Sequence, residues 1–243
     1  MLIPETDLVW RYLHPQDDLR GFVLIGGSGL ALQIAHRLSE DLDFVWTGIH
    51  LPRKRLDALI RKAESDGFSF VEQDDPAAME EFEIAGMDLH DFQQDYVVNG
   101  KVKVTFFTAD AALSKLLQAD PAAPCRIADL LEIFDSKALV SASRSKSRDW
   151  FDLYVLMREH GFTIPDYVAA FAKCGRATCY ENGLSRMCTG VPQRNDEGFE
   201  ELASPAPTLE EMASYFRGLR DQYEIDRAAA AGRKKGSEKN SDE

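Results

Sequence analysis

Asp41 and Asp43 stand two residues apart at the head of an apolar stretch, in the run LIGGSGLALQIAHRLSEDLDFVW. Side chains at i and i+2 of a strand point to the same face, so two carboxylates placed this way can share divalent cations. Upstream, Gly26-Gly27-Ser28 closes the apolar run from Phe22 to Ile25. Glycines let backbone N–H groups approach phosphate oxygens closely. Phosphate donors on one side and metal ligands on the other describe a nucleoside-triphosphate site for two-metal transfer chemistry. An ordinary strand–turn–helix with solvated acids is the bland alternative.

The elements that must position these residues are a strand, a tight turn, a helix and a second strand. Leu30, Ala31, Ile34, Ala35 and Leu38 fall at helical spacing, which predicts a helix over Gly29–Leu38 with Gln33, His36, Arg37 and Glu40 on its polar side. Ser28 is placed to be its N-cap. His36 reads as a packing residue. Arg37 either orients the two aspartates or sits in solvent.

The stretch GGSGLALQIAHRLSEDLDF resembles the opening motif of the AbiEii/AbiGii-type nucleotidyltransferase toxins, relatives of the DNA polymerase β superfamily. A second segment resembles the same family: Lys137, then Arg148-Asp149-Trp150-Phe151-Asp152-Leu153-Tyr154. The two motifs span about residues 20 to 158. The resemblance implies a nucleotidyltransferase fold of the α/β (α+β) type, a mixed sheet with packed helices followed by a C-terminal helical region. It implies a Mg²⁺-dependent enzyme with a two-metal site at Asp41 and Asp43 and a nucleoside triphosphate as substrate. Gly26, Gly27, Ser28, Arg37 and Lys137 would bind the nucleotide, and Asp41, Asp43, Lys137 and Asp152 would be catalytic. The acceptor would be RNA, such as a tRNA end, or a protein hydroxyl. The biological role would be the toxin half of a toxin–antitoxin pair, with an antitoxin protein as partner.

One position departs from the family pattern. The third carboxylate of the superfamily is expected on the strand after Asn99-Gly100, and the aligned residue there is Thr105. A threonine is no base at neutral pH and a poor metal ligand. Asp110 follows five residues on, past the expected strand end. This leaves open a catalytically impaired nucleotide-binding member, or a plain protein-interaction module, as rival readings.

Asp152 lies inside Trp150–Met157, apolar on nearly every side, so the segment reads as a buried helix. A buried carboxylate needs a partner; Arg148 at i−4 and Lys137 are the candidates. A structural pin is the alternative to a catalytic role for Asp152, and a solvated surface lysine is the alternative for Lys137.

The chain has 243 residues, a formal net charge of −13 and 44% hydrophobic residues. No apolar run reaches the roughly 18 residues that span a bilayer. The start, MLIPETDLVWRYL, lacks the basic n-region of a signal peptide. Cys125, Cys174, Cys179 and Cys188 form no CxxC pair and read as buried free thiols in a reduced, cytoplasmic setting. The negative field repels nucleic acid except at local basic clusters. Two exist: Arg53-Lys54-Arg55 with Arg61-Lys62, and Arg144, Lys146 and Arg148.

Patterning predicts a helix around Glu5–Leu19, strands Phe22–Ile25 and Leu42–Trp46, a helix from Pro52 to about Ser65 and a strand Phe68–Val71. Residues 74–92 are ambiguous, with Phe82-Glu83-Ile84 alternating like a strand. Tyr96 to Val104 around Asn99-Gly100 is the strongest hairpin signal. Helices are expected over Ala111–Gln118, Asp129–Ser141, Arg148–Glu159 and Asp166–Lys173, and from a capping box at Thr208 to about Ala230. These readings give an α/β domain over 1–108, a helical domain over 109–230 and a disordered tail over 231–243.

Overall fold

The computed structural model describes residues 1–118 and 120–239. In chain order the elements are α1 (Pro4–Leu13), β1 (Phe22–Ile25), α2 (Gly26–Ile34), β2 (Leu42–Trp46), α3 (Arg53–Ser65), β3 (Phe70–Glu72), α4 (Pro76–Ile84), β4 (Gln93–Val98), β5 (Val102–Thr108) and β6 (Arg126–Ile127), then α5 (Leu130–Ser141), α6 (Ser147–Glu159), α7 (Ile164–Lys173), α8 (Tyr180–Thr189) and α9 (Leu209–Lys239). The chain divides into two compact units: residues 1–136 with 201–204, and residues 137–200 with 205–243. The division falls inside α5.

The first unit is built on one mixed sheet in the order β3-β4-β5-β2-β1-β6. β2 runs antiparallel to β1 and parallel to β5, and β4 and β5 form an antiparallel hairpin. One face of the sheet is apolar. Leu24, Leu42, Phe44, Tyr96, Val98, Val104 and Phe106 bury there against Val9 and Leu13 of α1 and Leu56 and Leu59 of α3. Phe44 and Phe106 stack at 5.3 Å between ring centres. Period-2 alternation puts Asp43, Thr105, Asp95 and Lys103 on the opposite face.

Strands β1 and β2 have the residues expected for them, because their apolar runs are bounded sharply by Gly21, Gly26 and polar residues. The expected hairpin forms, with Asn99 and Gly100 both at positive φ (52° and 66°) and Lys101 N–H donating to Val98 C=O at 3.1 Å. Other expectations are corrected. The helix after the glycines starts at Gly26 and ends at Ile34, where Ala35 turns left-handed at φ 53°. His36 and Arg37 therefore lie beyond it. The N-cap position falls on Ile25, which makes no side-chain cap, so Ser28 is inside the first turn. Residues 82–84 belong to helix α4, started by Asp75 capping Ala77 N–H and by Pro76. Over 111–118 only a short 3₁₀ turn, Leu113–Lys115, forms. The N-terminal helix stops at Leu13, with a separate 3₁₀ turn at Asp17–Leu19.

The second unit is helical. α9 packs along α6, α7 and α8, with Tyr154 edge-on to Tyr215 and Phe216. The capping box expected at Thr208 is present: its N–H and hydroxyl both donate to Glu211, at 2.7 and 2.9 Å. α8 was not visible in the sequence. α9 continues past the expected end near Ala230 to Lys239, so the start of the proposed tail is helical, and residues 240–243 lie outside the described residues.

Candidate nucleotide and metal site

In the first unit the glycine turn and the Asp-x-Asp strand meet. β1 pairs with β2 so that Ile25 lies opposite Asp43, and Gly26 follows Ile25 at φ +72°. A Cβ on Gly26 would stand 2.8 Å from Asp43 Oδ2. The backbone at the start of α2 therefore comes as close to this carboxylate as a residue without a side chain allows. A Cβ on Gly27 would strike the Arg37 guanidinium and stand 3.1 Å from Ser39 Oγ. Arg37 is buried at 6% exposure and donates from Nη1 to Leu38 C=O at 2.9 Å, so it is no solvated surface arginine. The structure brings Gly26, Gly27 and Asp43 together and sets Arg37 beside the turn. The first N–H groups of an α-helix have no intrahelical partner, and α2 presents them where the glycines leave room.

Ser28 has a different place from the one expected. It is 2% exposed. Its hydroxyl lies 3.0 Å from Ser39 Oγ and also donates to the backbone C=O of Asp41. It ties the helix to the segment that delivers Asp41. Asp41 directly precedes β2, two residues before Asp43, so both carboxylates belong to one strand edge.

Across the sheet, Asp43 is in register with Thr105, and Thr105 with Asp95 on β4. Thr105 Oγ1 donates to Asp95 Oδ1 at 2.7 Å. Asp95 also takes a hydrogen bond from Gln93 Nε2 at 2.5 Å and lies 3.7 Å from Lys103 Nζ. Sequence reasoning missed Asp95, which looked like one acid among many in an acidic stretch. Asp110, the other carboxylate considered, caps the turn at 113–115 through the N–H groups of Ala112 and Leu113, at 3.0 and 2.7 Å.

Among the described residues, one group of three potential ligand side chains lies close enough to surround an ion, and neither Asp41 nor Asp43 is in it. His90 Nε2 lies 2.9 Å from Asp74 Oδ1 and 3.6 Å from Glu72 Oε1. Burial opposes charge on His90, but Asp74 and Glu72 outweigh it and hold its pKa above the usual histidine range. A proton and a metal ion would compete for His90 Nε2 here.

In the second unit, Lys137 and Asp152 do meet. Lys137 Nζ lies 2.8 Å from Asp152 Oδ2 and 2.6 Å from Asp149 Oδ1, and Arg144 reaches Asp149 Oδ2 at 2.7 Å. The side chains of Lys137, Asp149 and Asp152 are 7%, 3% and 0% exposed. Lys137 is thus not a solvated surface lysine. Burial would push the Asp149 carboxyl up, but Lys137 and Arg144 outweigh it and hold it below the ordinary carboxylate range. Arg148, the other partner expected for Asp152, donates to Gly198 C=O at 2.8 Å and pairs with Glu197 at 3.3 Å.

The basic clusters are largely engaged internally. Arg53 pairs with Asp88 and Asp91, and Arg55 donates to Asp18 and Arg20 carbonyls and stacks over Trp46. The four cysteines are free thiols, three of them buried. No described helix is long and apolar enough to cross a membrane.

A family model described as nucleotidyl transferase AbiEii toxin, type IV TA system, matches residues 9–231. The chain belongs to the AbiEii nucleotidyl transferase toxin family. It is an enzyme of the toxin nucleotidyltransferase class. An uncharacterized protein of Aquifex aeolicus is 28% identical over 202 residues, 83% of this chain and 87% of its own. Two solved structures share the fold. MenT4, a nucleotidyltransferase toxin of Mycobacterium tuberculosis, aligns with a TM-score of 0.52 at 15% identity, over 93% of this chain and 91% of its own. A candidate nucleotidyltransferase from H. pylori aligns with a TM-score of 0.50 at 20% identity, over 90% and 92%.

Proposed function

We propose that this AbiEii-family toxin transfers a nucleotidyl group from a nucleoside triphosphate in a Mg²⁺-dependent reaction, with Asp41 and Asp43 as the metal ligands. The observation that carries the reading is the approach of Gly26 to Asp43: phosphate-binding backbone and a carboxylate converge where a side chain would not fit. Carboxylate oxygens are the hard donors Mg²⁺ prefers, so the residues present fit the ion. When bound, such ions stabilise the attacking and leaving oxygens of an in-line displacement.

The chain's own residues do the rest. The N–H groups of Gly26, Gly27 and Ser28 seat the terminal phosphates at the positive end of α2. The Ser28 hydroxyl fixes Asp41 through its backbone. Arg37 stiffens the turn. Lys137 as a phosphate contact and Asp152 as a catalytic residue rest on family resemblance, and their mutual ion pair fits an ammonium held in place by carboxylates. The acceptor is RNA, a tRNA end among them, or a protein hydroxyl. An antitoxin is the partner that the family's type IV toxin–antitoxin class implies, and the setting is cytoplasmic.

The test is calorimetric titration of each nucleoside triphosphate with Mg²⁺ into wild type and the Asp41→Ala/Asp43→Ala variant. Metal-dependent binding to wild type that disappears in the variant is expected. Binding that survives both substitutions would remove the metal site from these residues.

A further inference from the structure

We propose that the proton of the attacking acceptor hydroxyl leaves through Thr105 to Asp95, a two-residue relay laid across β5 and β4. This deepens the nucleotidyl-transfer reading above and rests on it. At the register position beside Asp43 the chain places a hydroxyl rather than a carboxylate. That hydroxyl is not isolated: its own hydrogen bond runs away from Asp43's strand, to Asp95 Oδ1 at 2.7 Å.

The geometry gives each residue one task. Because the Thr105 proton already points at Asp95, Oγ1 turns lone pairs to other donors. A threonine hydroxyl cannot keep an extra proton at neutral pH, but it can pass one on to a carboxylate as it receives one. Asp95 is the sink, with its oxygens oriented by Gln93 and Lys103. Strands lie about 4.8 Å apart, so Thr105 is one strand from Asp43 and Asp95 is two. An open depression of about 600 Å³ reaches the Asp95 end, lined by Glu72, Asp74, Gln93, Asp95 and Lys103 among others. The charged groups that line it with Asp95 are Lys103 on β5, Glu72 on β3, and Asp74 and Asp75 beyond β3.

The step balances. The acceptor oxygen forms a bond to the α-phosphorus of the triphosphate while the bond from that phosphorus to the bridging oxygen breaks. Pyrophosphate leaves with the electron pair. The acceptor's proton passes to Thr105 Oγ1 as the Thr105 proton passes to Asp95 Oδ1, and the resulting carboxylic acid returns it to solvent. Thr105 is then a catalytic residue, and Asp95 a positioning residue that acts through it.

The experiment measures transfer of labelled nucleotide into total cellular RNA and protein by wild type, Thr105→Ser, Thr105→Val, Asp95→Asn and the Thr105→Val/Asp95→Asn double variant, with triphosphate binding measured calorimetrically on each. Loss of a general base costs about 10²- to 10⁴-fold. Thr105→Val and Asp95→Asn are each expected to fall in that range with triphosphate affinity within threefold of wild type. The double variant should be no worse than the poorer single one, because the two act as a unit. Thr105→Ser should keep activity within about fivefold, and Thr105→Val and Asp95→Asn should each lower kcat while leaving KM for the triphosphate within threefold. Thr105→Val or Asp95→Asn within threefold of wild type would overturn the relay, as would a double variant whose losses simply multiply. Failure of wild type to bind triphosphate or to transfer label would instead overturn the nucleotidyl-transfer reading itself.

Discussion

Replacing Lys137 by methionine removes one ammonium from between two buried carboxylates and keeps most of the side-chain volume. Asp149 and Asp152, 3% and 0% exposed, would lose contacts of 2.6 and 2.8 Å. Removing one partner of a buried ion pair costs about 3–5 kcal/mol, because the charge left behind stays desolvated. Arg144 still reaches Asp149 at 2.7 Å, so the lower end, about 3 kcal/mol, is expected. Against a typical total of about 5–15 kcal/mol that is a large fraction, and for a chain of this size it lowers Tm by about 6–12 °C. The pH dependence has a definite sign. Asp149 is held below the ordinary carboxylate range by Lys137 and Arg144 against its burial. Its contribution is therefore present above the unfolded carboxylate pKa and is lost as pH falls through the folded value. The deficit of Lys137→Met should be greatest near neutrality and shrink on acidification. Thermal unfolding of both proteins by circular dichroism between pH 2 and 8, a range that crosses the unfolded carboxylate pKa of about 3.9, reads this directly. A Tm loss below about 2 °C at pH 7, well under the roughly 6–12 °C expected, would refute the reasoning, and so would a deficit that grows toward acid pH.

Three further outcomes follow from the first unit. Gly26→Ala, at φ +72° with its Cβ 2.8 Å from Asp43 Oδ2, should cost about 1–3 kcal/mol from backbone strain and weaken Mg²⁺-dependent triphosphate binding, measured by urea unfolding and calorimetry. Asn99→Ala puts alanine at φ 52° and deletes the acceptor of Ser69 N–H at 2.9 Å; a loss of about 1–2 kcal/mol is expected, with no effect on triphosphate binding. His90 should titrate by NMR above the unperturbed 6.5, and its contribution to stability, complete below that value, should fade as pH rises through the folded pKa. Asp74→Asn should bring the midpoint down.

The strand–turn–strand heart of the first unit was legible because its signals are local. Two glycines after an apolar run, and two acids alternating with apolar residues, mean the same thing in most contexts. Helix α2 was mis-bounded because Ala35 ends it in a left-handed turn that an alanine gives no sign of, while the apolar periodicity runs on to Leu38. Ser28 looked like a cap because its hydroxyl suits one; burial against Ser39 gave it another partner. Asp95 was illegible for a reason of register. A two-residue loop at Asn99-Gly100 would pair Asp95 with Val104, whereas the observed register pairs it with Thr105. A slip of one residue flips every side chain to the other face, and sequence alone did not choose between the two. The Lys137–Asp152 contact was readable from a buried acid's need for a partner. That Asp149 shares the ammonium was not, since helix spacing pointed to Arg148 instead.

The central claim is that Asp41 and Asp43 carry Mg²⁺-dependent nucleotidyl transfer. The most direct measurement incubates wild type, Asp41→Ala and Asp43→Ala with α-labelled nucleoside triphosphates, Mg²⁺ and total cellular RNA and protein, and counts label covalently joined to macromolecules. The account predicts incorporation by wild type that chelator abolishes and that either substitution reduces at least about 100-fold, as expected for loss of a ligand to a catalytic metal. Incorporation by correctly folded single variants at the wild-type rate would contradict it.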